Sequence, residues 1–286
     1  MSTLITTAFV QQYRANVMLL FQQQGAKLRG MTRMETVNAK FHFFERLAST
    51  AAVKKTVRHS DTPLVNSQHS RRRVGLVDFE WADLVDLVDK IRLLITPESE
   101  YAINAAWALG RALDDEIISA FNGVAKAGEN GEIDVPFPAT QVIIDGGTGM
   151  TIDKLREAKQ RLDSADAPEG DRMIVISPIA LQDLLETTEV TSSDFNSIKA
   201  LVSGDLNTYL GMRFIMSTRL PKVGDIRSCF VWHKTSMALA MGKDMNSRIT
   251  ERPDKSFSVQ VFASGTWAAT RLEEEGVIQI DVDETA

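Results

Sequence analysis

Three stretches of this sequence carry residues that could do chemistry. The first is DGGTGMTIDK, Asp145 to Lys154. A glycine-rich turn between a strand-like and a helix-like segment is where backbone N–H groups can cradle phosphate. This turn lacks the third glycine of a dinucleotide fingerprint and the Gly-Lys-Ser/Thr ending of a phosphate loop. It reads as a glycine turn before a helix capped by Thr151. The second stretch is Asp114-Asp115-Glu116. As a metal site it would need ligands from elsewhere, and none is identifiable, so it reads as a solvated face or an intersubunit contact. The third is Arg71-Arg72-Arg73, inside NSQHSRRRVGLVDFEWADLVDLVDK. Guanidinium groups bind phosphate and carboxylate equally well, so the triplet fits either nucleic acid or another protein.

The remaining reactive residues are scattered. His42, His59, His69 and His233 include no pair at helical i, i+4 spacing, and the single Cys229 completes no zinc motif. His59 and His69 read as solvent-facing, and Cys229, within an apolar strand, as core. FASGT, Phe262 to Thr266, lacks the first glycine of a nucleophile elbow. No catalytic residue, cofactor or metal is therefore expected. A nucleotide-binding α/β enzyme stays open only through the glycine turn.

Charge separates the two protein-level readings of the arginines. Residues 1–73 hold twelve basic and three acidic residues, a balance of +9. The rest holds twenty basic and thirty-five acidic, a balance of −15, and the whole chain stands at −6. A protein that grips free duplex needs a basic face on its folded body. Here the body is acidic, which favours a head-to-tail assembly with the basic part of one copy on the acidic part of the next. Arg58, Asp61, Arg71, Arg72 and Arg73 are the expected contacts on one side, and Glu273, Glu274 and Glu275 on the other.

The elements that must position these residues follow from pattern. The chain has 286 residues, 44% hydrophobic and 24% charged, enough for one large domain or two smaller ones. Val10, Tyr13, Val17, Leu20 and Phe21 predict an amphipathic helix over residues 1–24. It packs on its own body or lies as an arm on a neighbour. Residues 49–95 have strand-like ends and a polar middle with a turn at Asp61-Thr62-Pro63, which predicts a long two-stranded extension. A ribbon of this kind is marginal alone in water and needs support. TPESEYAINAAWALGRALDDEIISAFNGV predicts a long helix, with Thr96 as N-cap, Pro97 at the first position and Glu98 and Glu100 near its positive end. Ile103, Trp107, Gly110, Asp114, Ile117, Phe121 and Val124 mark its expected inner face.

Downstream the pattern alternates. TQVIID, RMIVIS, MRFIMSTRL and SCFVWHK read as strands, and TIDKLREAKQRLDSAD, PIALQDLLET and FNSIKALVSG as helices. TSMALAMGK reads as a short helix or strand. The end reads as a β-meander, with turns at Arg252–Lys255 and Glu275-Gly276. In it Phe257, Val259 and Val261 alternate with Ser256, Ser258 and Gln260. Ile278, Ile280 and Val282 share a face. There is no basic n-region before VMLLF, which is too short for a signal core, and no apolar run of about 18 residues. With one cysteine, manufacture in a reducing cytoplasm is expected.

The order of segments, with ALGRALDDEIISAFNG, RMIVISPIALQDLLE, LVSGDLNTYLGMRFIMSTRLP and GTWAATRLEEEGVIQIDVD, resembles the major capsid proteins of tailed bacteriophages, the Hong Kong 97-like fold. The resemblance covers most of the chain and rests more on segment order than on any residue. It implies an α+β chain with an N-terminal arm and lead-in (1–48), an extended β-hairpin loop (49–95) and a peripheral domain with the spine helix (96–148). An axial α/β domain (149–239) and a peripheral β-meander (240–286) follow. It implies no enzyme and no cofactor, but a structural protein whose copies form hexamers and pentamers of an icosahedral shell around double-stranded DNA. A separate scaffolding protein, a portal and a decoration protein are the further partners it implies, without a membrane. The site would be the virion capsid, assembled in the host cytoplasm. Some relatives cross-link through Lys and Asn; Lys54, Lys55 and Asn66 lie in the loop, but no site pattern accompanies them and no bond is expected. A cleaved scaffolding segment before the arm is not expected either. An encapsulin-like non-viral compartment shares the fold and is the alternative.

Overall fold

The computed structural model describes residues 22–59, 61–85, 98–186 and 208–285. Its first strands are β1 (Arg33–Thr36), β2 (Phe41–Leu47), β3 (His69–Gly75) and β4 (Val77–Val85), followed by helix α1 (Glu98–Asn122). Then come β5 (Ala125–Ala127), β6 (Ile133–Val135), β7 (Val142–Ile143), α2 (Ile152–Ser164), β8 (Arg172–Ile176) and α3 (Pro178–Glu186). The last part holds β9 (Thr208–Tyr209), β10 (Met212–Met216), β11 (Lys222–Val223), β12 (Ile226–His233), β13 (Met237–Arg252), β14 (Ser258–Arg271) and β15 (Val277–Asp283).

The chain divides into two compact units, each assembled from separated stretches. One draws on residues 22–39, 76–85, 98–118 and 239–269. It contains a four-stranded sheet in the order β1-β13-β14-β4 and most of α1. In β14, Val259, Val261, Ala263 and Trp267 are buried, and the Trp267 ring stacks on Phe79 of β4 at 4.7 Å. Helix α1 buries Ala105, Leu109, Leu113 and Ile117, a spacing of four that keeps one stripe inward. The expected face holds in its middle, where Gly110, Asp114, Ile117 and Phe121 are buried, but not at its ends, where Ile103 and Val124, the latter beyond the helix, are exposed.

The other unit draws on residues 40–59, 61–75, 119–186, 208–238 and 270–285. Its larger sheet runs β7-β15-β12-β8-β10-β9, with β11 paired to β12. Every residue of β8 is buried, as expected of a central strand covered on both faces. Cys229, Phe230, Val231 and Trp232 of β12 and Ile278, Ile280 and Val282 of β15 are fully buried. Phe121 stacks on Phe230 at 4.8 Å and lies 4.7 Å from Trp232. Helix α2 turns Ile152, Leu155, Ala158 and Leu162 inward, and Thr151 caps it by accepting from the Lys154 backbone N–H. A second, antiparallel sheet runs β2-β3-β5-β6.

Three expectations are corrected. The ribbon is β2 with β3, not the two ends of 49–95: Phe41 pairs with Gly75 and Leu47 with His69. Residues 77–85 leave that sheet and pair with β14 instead. FHFFERL gives a weak strand signal, because its aromatic residues occupy both faces. Residues 240–286 are not one meander. β13 and β14 share a sheet, but β15 pairs with β12 and β7, because its strictly inward Ile278, Ile280 and Val282 complete the larger core. TSMALAMGK, expected as a short helix or strand, is strand: it is the start of β13 with its lead-in. Phe257, expected inside, is 58% exposed, since a left-handed backbone at Ser256 and Phe257 closes the turn. Gln22 to Gln24 are not helical, and the rest of the arm helix lies outside the described residues. So do the cap at Thr96 and Pro97 and the helix expected in FNSIKALVSG.

Candidate functional site

The glycine turn is occupied by the chain itself. Gly146 and Gly147 have positive φ, as such a turn requires. The Asp145 carboxylate accepts from the Gly147 N–H at 2.8 Å, and Asp183 accepts from the Met150 N–H at 3.0 Å. The turn points carbonyls inward, where the buried Lys154 ammonium donates to Thr148, Gly149 and Asp281 oxygens at 2.8–3.2 Å. Burial lowers the Lys154 pKa, and the carboxylates of Asp145, Asp183 and Asp281 oppose that. A phosphate would meet acids and carbonyls here rather than free N–H groups.

The other chemistry-bearing residues are structural as well. Burial pushes the Cys229 thiol up to about 12, far from a reactive thiolate. Burial also lowers the His233 pKa; its Nδ1 accepts from the Thr235 N–H, and its ring hydrogen-bonds the Gly170 backbone. His59 and His69 are exposed. Among the described residues no group of three or more His, Cys, Asp or Glu could hold a metal, and no helix is long and apolar enough to cross a membrane.

The acidic triplet on α1 requires a correction. Asp114 is 1% exposed and is no solvated face. Its two oxygens accept from the Lys27 N–H at 2.9 Å, the Leu28 N–H at 2.9 Å and the Gln23 side chain. Beside it, Gly110 lets the backbone of Gly25 come so close that a Cβ there would lie 2.6 Å from a Gly25 carbon. Arg111 donates to the Gln22 side chain at 2.7 Å and the Gln23 carbonyl at 3.2 Å. Thus α1 fastens residues 22–28. Glu116 is also drawn inward, accepting from the Ala269 N–H.

The arginine triplet is split by the period of the strand. On β3, Arg72 points with Phe44 to the buried face, while Arg71 and Arg73 point to the other. Arg72 donates to Glu274 at 2.6 Å and to the Leu272 carbonyl at 3.4 Å. Glu274 also lies 3.8 Å from Arg271, which is buried and donates to the carbonyls of Phe121, Gly123 and Val135. Burial lowers the pKa of both guanidinium groups, and Glu274 opposes this in each. Of the expected pairings, then, Arg72 with Glu274 is realised within one chain, and neither group is left to face a neighbour. Arg271 carries a readable sequence sign that the composition of the triplet does not show: an arginine at the end of an inward-alternating strand, three residues before a glutamate.

Arg71 and Arg73 lie along a row of aromatic rings. Arg73 sits 3.9 Å over Phe41 and donates to the Asn130 carbonyl at 3.0 Å. Arg71 sits 5.3 Å from the Phe43 ring and pairs with Glu45 at 3.0 Å. Arg58, Asp61, Glu273 and Glu275 are exposed. The described residues of the connection from β2 to β3 form no strand, and apolar side chains there lie open: Leu64 is 92% exposed, Val57 62% and Val53 61%. Uncovered aliphatic side chains gathered on one segment are what a protein partner covers.

Comparison with known proteins follows this geometry. A family model described as phage capsid protein matches residues 5–284. Among solved structures, the chain is similar to the capsid of cyanophage P-SCSP1u, with a TM-score of 0.73 at 15% identity, covering 93% of this chain and 90% of that one. It is similar to the capsid of cyanophage Pam1 with a TM-score of 0.71 at 10% identity, covering 94% and 95%. The capsid of Ralstonia phage GP4 gives 0.68 at 10% identity over 99% and 98%. At such identities these likenesses are of fold. No curated protein sequence matches the chain.

Proposed function

The chain belongs to the phage capsid protein family, and from that premise we propose that its copies join into hexamers and pentamers by laying the β2–β3 ribbon of one on the next. It is a major capsid protein, and its function is to build an icosahedral shell. The observation that carries the finer reading is the connection 48–68. Its aliphatic side chains lie open, Leu64 at 92% and Val53 at 61% exposure. A head-to-tail contact closes rings, and rings then meet through further symmetric contacts.

Within that assembly Arg58, Arg71 and Arg73 face Glu273 and Glu275 of the neighbour, and Asp61 lies at the same contact. Exposed ion pairs contribute about 0–1 kcal/mol each, so these residues set register while apolar burial supplies cohesion. The unit holding the larger sheet takes the axial role, and the unit holding α1 and the β13–β14 pair the peripheral one. Double-stranded DNA fills the shell, which assembles in the host cytoplasm with a separate scaffolding protein, a portal and a decoration protein. The phage origin of the matched family favours a virion over a non-viral compartment.

The test is the full-length variant Arg58→Ala/Arg71→Ala/Arg73→Ala, with Arg72 kept because it is structural. Shell yield is expected to fall, and assembly to fail at a lower salt concentration than in the unaltered chain, because screening weakens the surviving exposed pairs. Unchanged yield with unchanged salt tolerance would show that these arginines are not intersubunit contacts.

A further inference from the structure

The sequence holds two Asn-Gly pairs, Asn122-Gly123 and Asn130-Gly131. An asparagine before glycine can react with its own backbone. The next residue's nitrogen attacks the side-chain carbonyl, and glycine has no side chain to hinder it. The two pairs stand in opposite settings. Asn122 ends α1, and the Gly123 N–H donates to the Ser119 carbonyl at 3.1 Å, the hydrogen bond of a helical turn. The Asn122 side chain itself donates to Gln279 Oε1 at 3.3 Å. Asn130 is exposed in the turn from β5 to β6, and the Gly131 N–H reaches the Gly128 carbonyl only at 3.4 Å.

That turn is gripped from β3. Arg73 donates to the Asn130 carbonyl at 3.0 Å, and Arg71 to the Glu129 carbonyl at 3.4 Å. The stem of Arg73 covers Gly131, where a Cβ would lie 2.3 Å from the Arg73 Cδ, and a φ of +77° there also requires glycine. The fold itself therefore fixes glycine after Asn130. The Arg73 hydrogen bond falls on the carbonyl of the peptide unit whose nitrogen must react. A charged donor draws electron density from that unit and eases loss of its N–H proton. Glu132 opposes this with its carboxylate, which accepts from the Asn130 N–H at 2.8 Å.

We infer that Asn130 is a site of spontaneous deamidation, with Arg73 polarising the reacting peptide. The Gly131 nitrogen loses its proton to solvent hydroxide and forms a bond to the Asn130 Cγ. The side-chain nitrogen leaves as ammonia, taking a proton back from water, and a cyclic succinimide remains. Water opens the ring at either carbonyl to give aspartate or isoaspartate, and nothing is oxidised or reduced. Either product places a carboxylate in the turn that Arg73 grips. An arginine that faces a neighbour's acids then has an acid of its own chain, so the contact weakens with age. This consequence rests on the proposed assembly, whereas the reaction does not.

The full-length chain, held before assembly at physiological temperature and pH, tests the reaction by peptide mass spectrometry and an isoaspartate-specific methylation assay. Conversion should be at least about ten-fold faster at Asn130 than at Asn122, because a helical hydrogen bond opens far less often than one in a surface turn. Isoaspartate should accompany it. Arg73→Met should slow conversion at Asn130 and leave Asn122 unchanged, and Arg73→Lys, which can still donate, should keep most of the rate. Loosening of the turn alone would speed the attack, so an equal or faster rate in Arg73→Met would overturn the part given to the arginine. Conversion no faster at Asn130 than at Asn122 would overturn the site, whatever the assembly does. The consequence is tested apart from the chemistry: assembly of Asn130→Asp should fail at a lower salt concentration than that of Asn130→Gln. Equal salt tolerance of the two would overturn the link to the contact.

Discussion

Replacing Glu274 by alanine should cost the free chain about 3–5 kcal/mol, the range for removing one partner of a buried ion pair. The carboxylate lies beside two guanidinium groups: Arg72 at 2.6 Å and Arg271 at 3.8 Å. Arg72 is 6% exposed and Arg271 1%, so neither can turn to water. Arginine does not shed its proton in proteins, and both charges would remain in place uncompensated. Arg72→Met should be milder, because Glu274 then keeps Arg271 and the methionine fills the space of the stem. Equilibrium denaturation of the two variants separates the cases: the alanine variant should lose the more stability. A loss below about 1 kcal/mol for Glu274→Ala would mean that the pair behaves as an exposed one.

The second large effect lies at Asp114. Asp114→Ala removes the acceptor of two backbone N–H groups, Lys27 and Leu28, beneath a residue that is fully buried. The Leu28 N–H is buried and costs about 1–3 kcal/mol if left unsatisfied, while the Lys27 N–H is only part-buried and adds less, so a loss of about 2–3 kcal/mol is expected. Asp114→Asn keeps one oxygen for the backbone, and Gln23 can turn its amide to meet the new NH2, so its loss should be smaller. The pH dependence gives an independent check. Burial raises the Asp114 pKa above its ordinary value, and the hydrogen bonds from Lys27, Leu28 and Gln23 only partly offset this. A carboxyl raised on folding contributes stability that is fully present below the unfolded value of about 3.9 and is lost as pH rises through the folded value. The advantage of the unaltered chain over Asp114→Asn should therefore be greatest near pH 4 and shrink toward neutrality. An advantage that grows toward neutrality would mean that the charged carboxylate is favoured, against the burial argument.

Local structure was legible where a short-range rule governs it. Thr151 caps α2 because a hydroxyl can satisfy an N-terminal N–H, and that is readable from the residue and its place. The buried β8 and Cys229 follow from unbroken apolar runs. Strand partnership was not legible. Nothing near Val277–Asp283 says that it pairs with β12 rather than with β14, since that choice is made by which core its isoleucines fill. The ribbon was displaced for the same reason, because the partner of β3 stands twenty-odd residues before it in the chain.

The candidate contacts show what a period of two hides. Arg71, Arg72 and Arg73 look like one basic patch in the sequence. A strand sends the middle residue to the opposite face, so one arginine became an internal ion pair and two remained at the surface. Asp114 is similar. Three consecutive acids on a helix suggest a wet face, but a helix turns 100° per residue, and the first of them points at the passing backbone of residues 27 and 28.

Negative-stain microscopy of the purified full-length chain, across a range of concentration, tests the central claim most directly. If copies must cover one another's open segments, closed shells or their ring-shaped capsomers should appear and grow in number with concentration. A population that stays monomeric at high concentration, with residues 48–68 folded back on their own chain, would contradict the account.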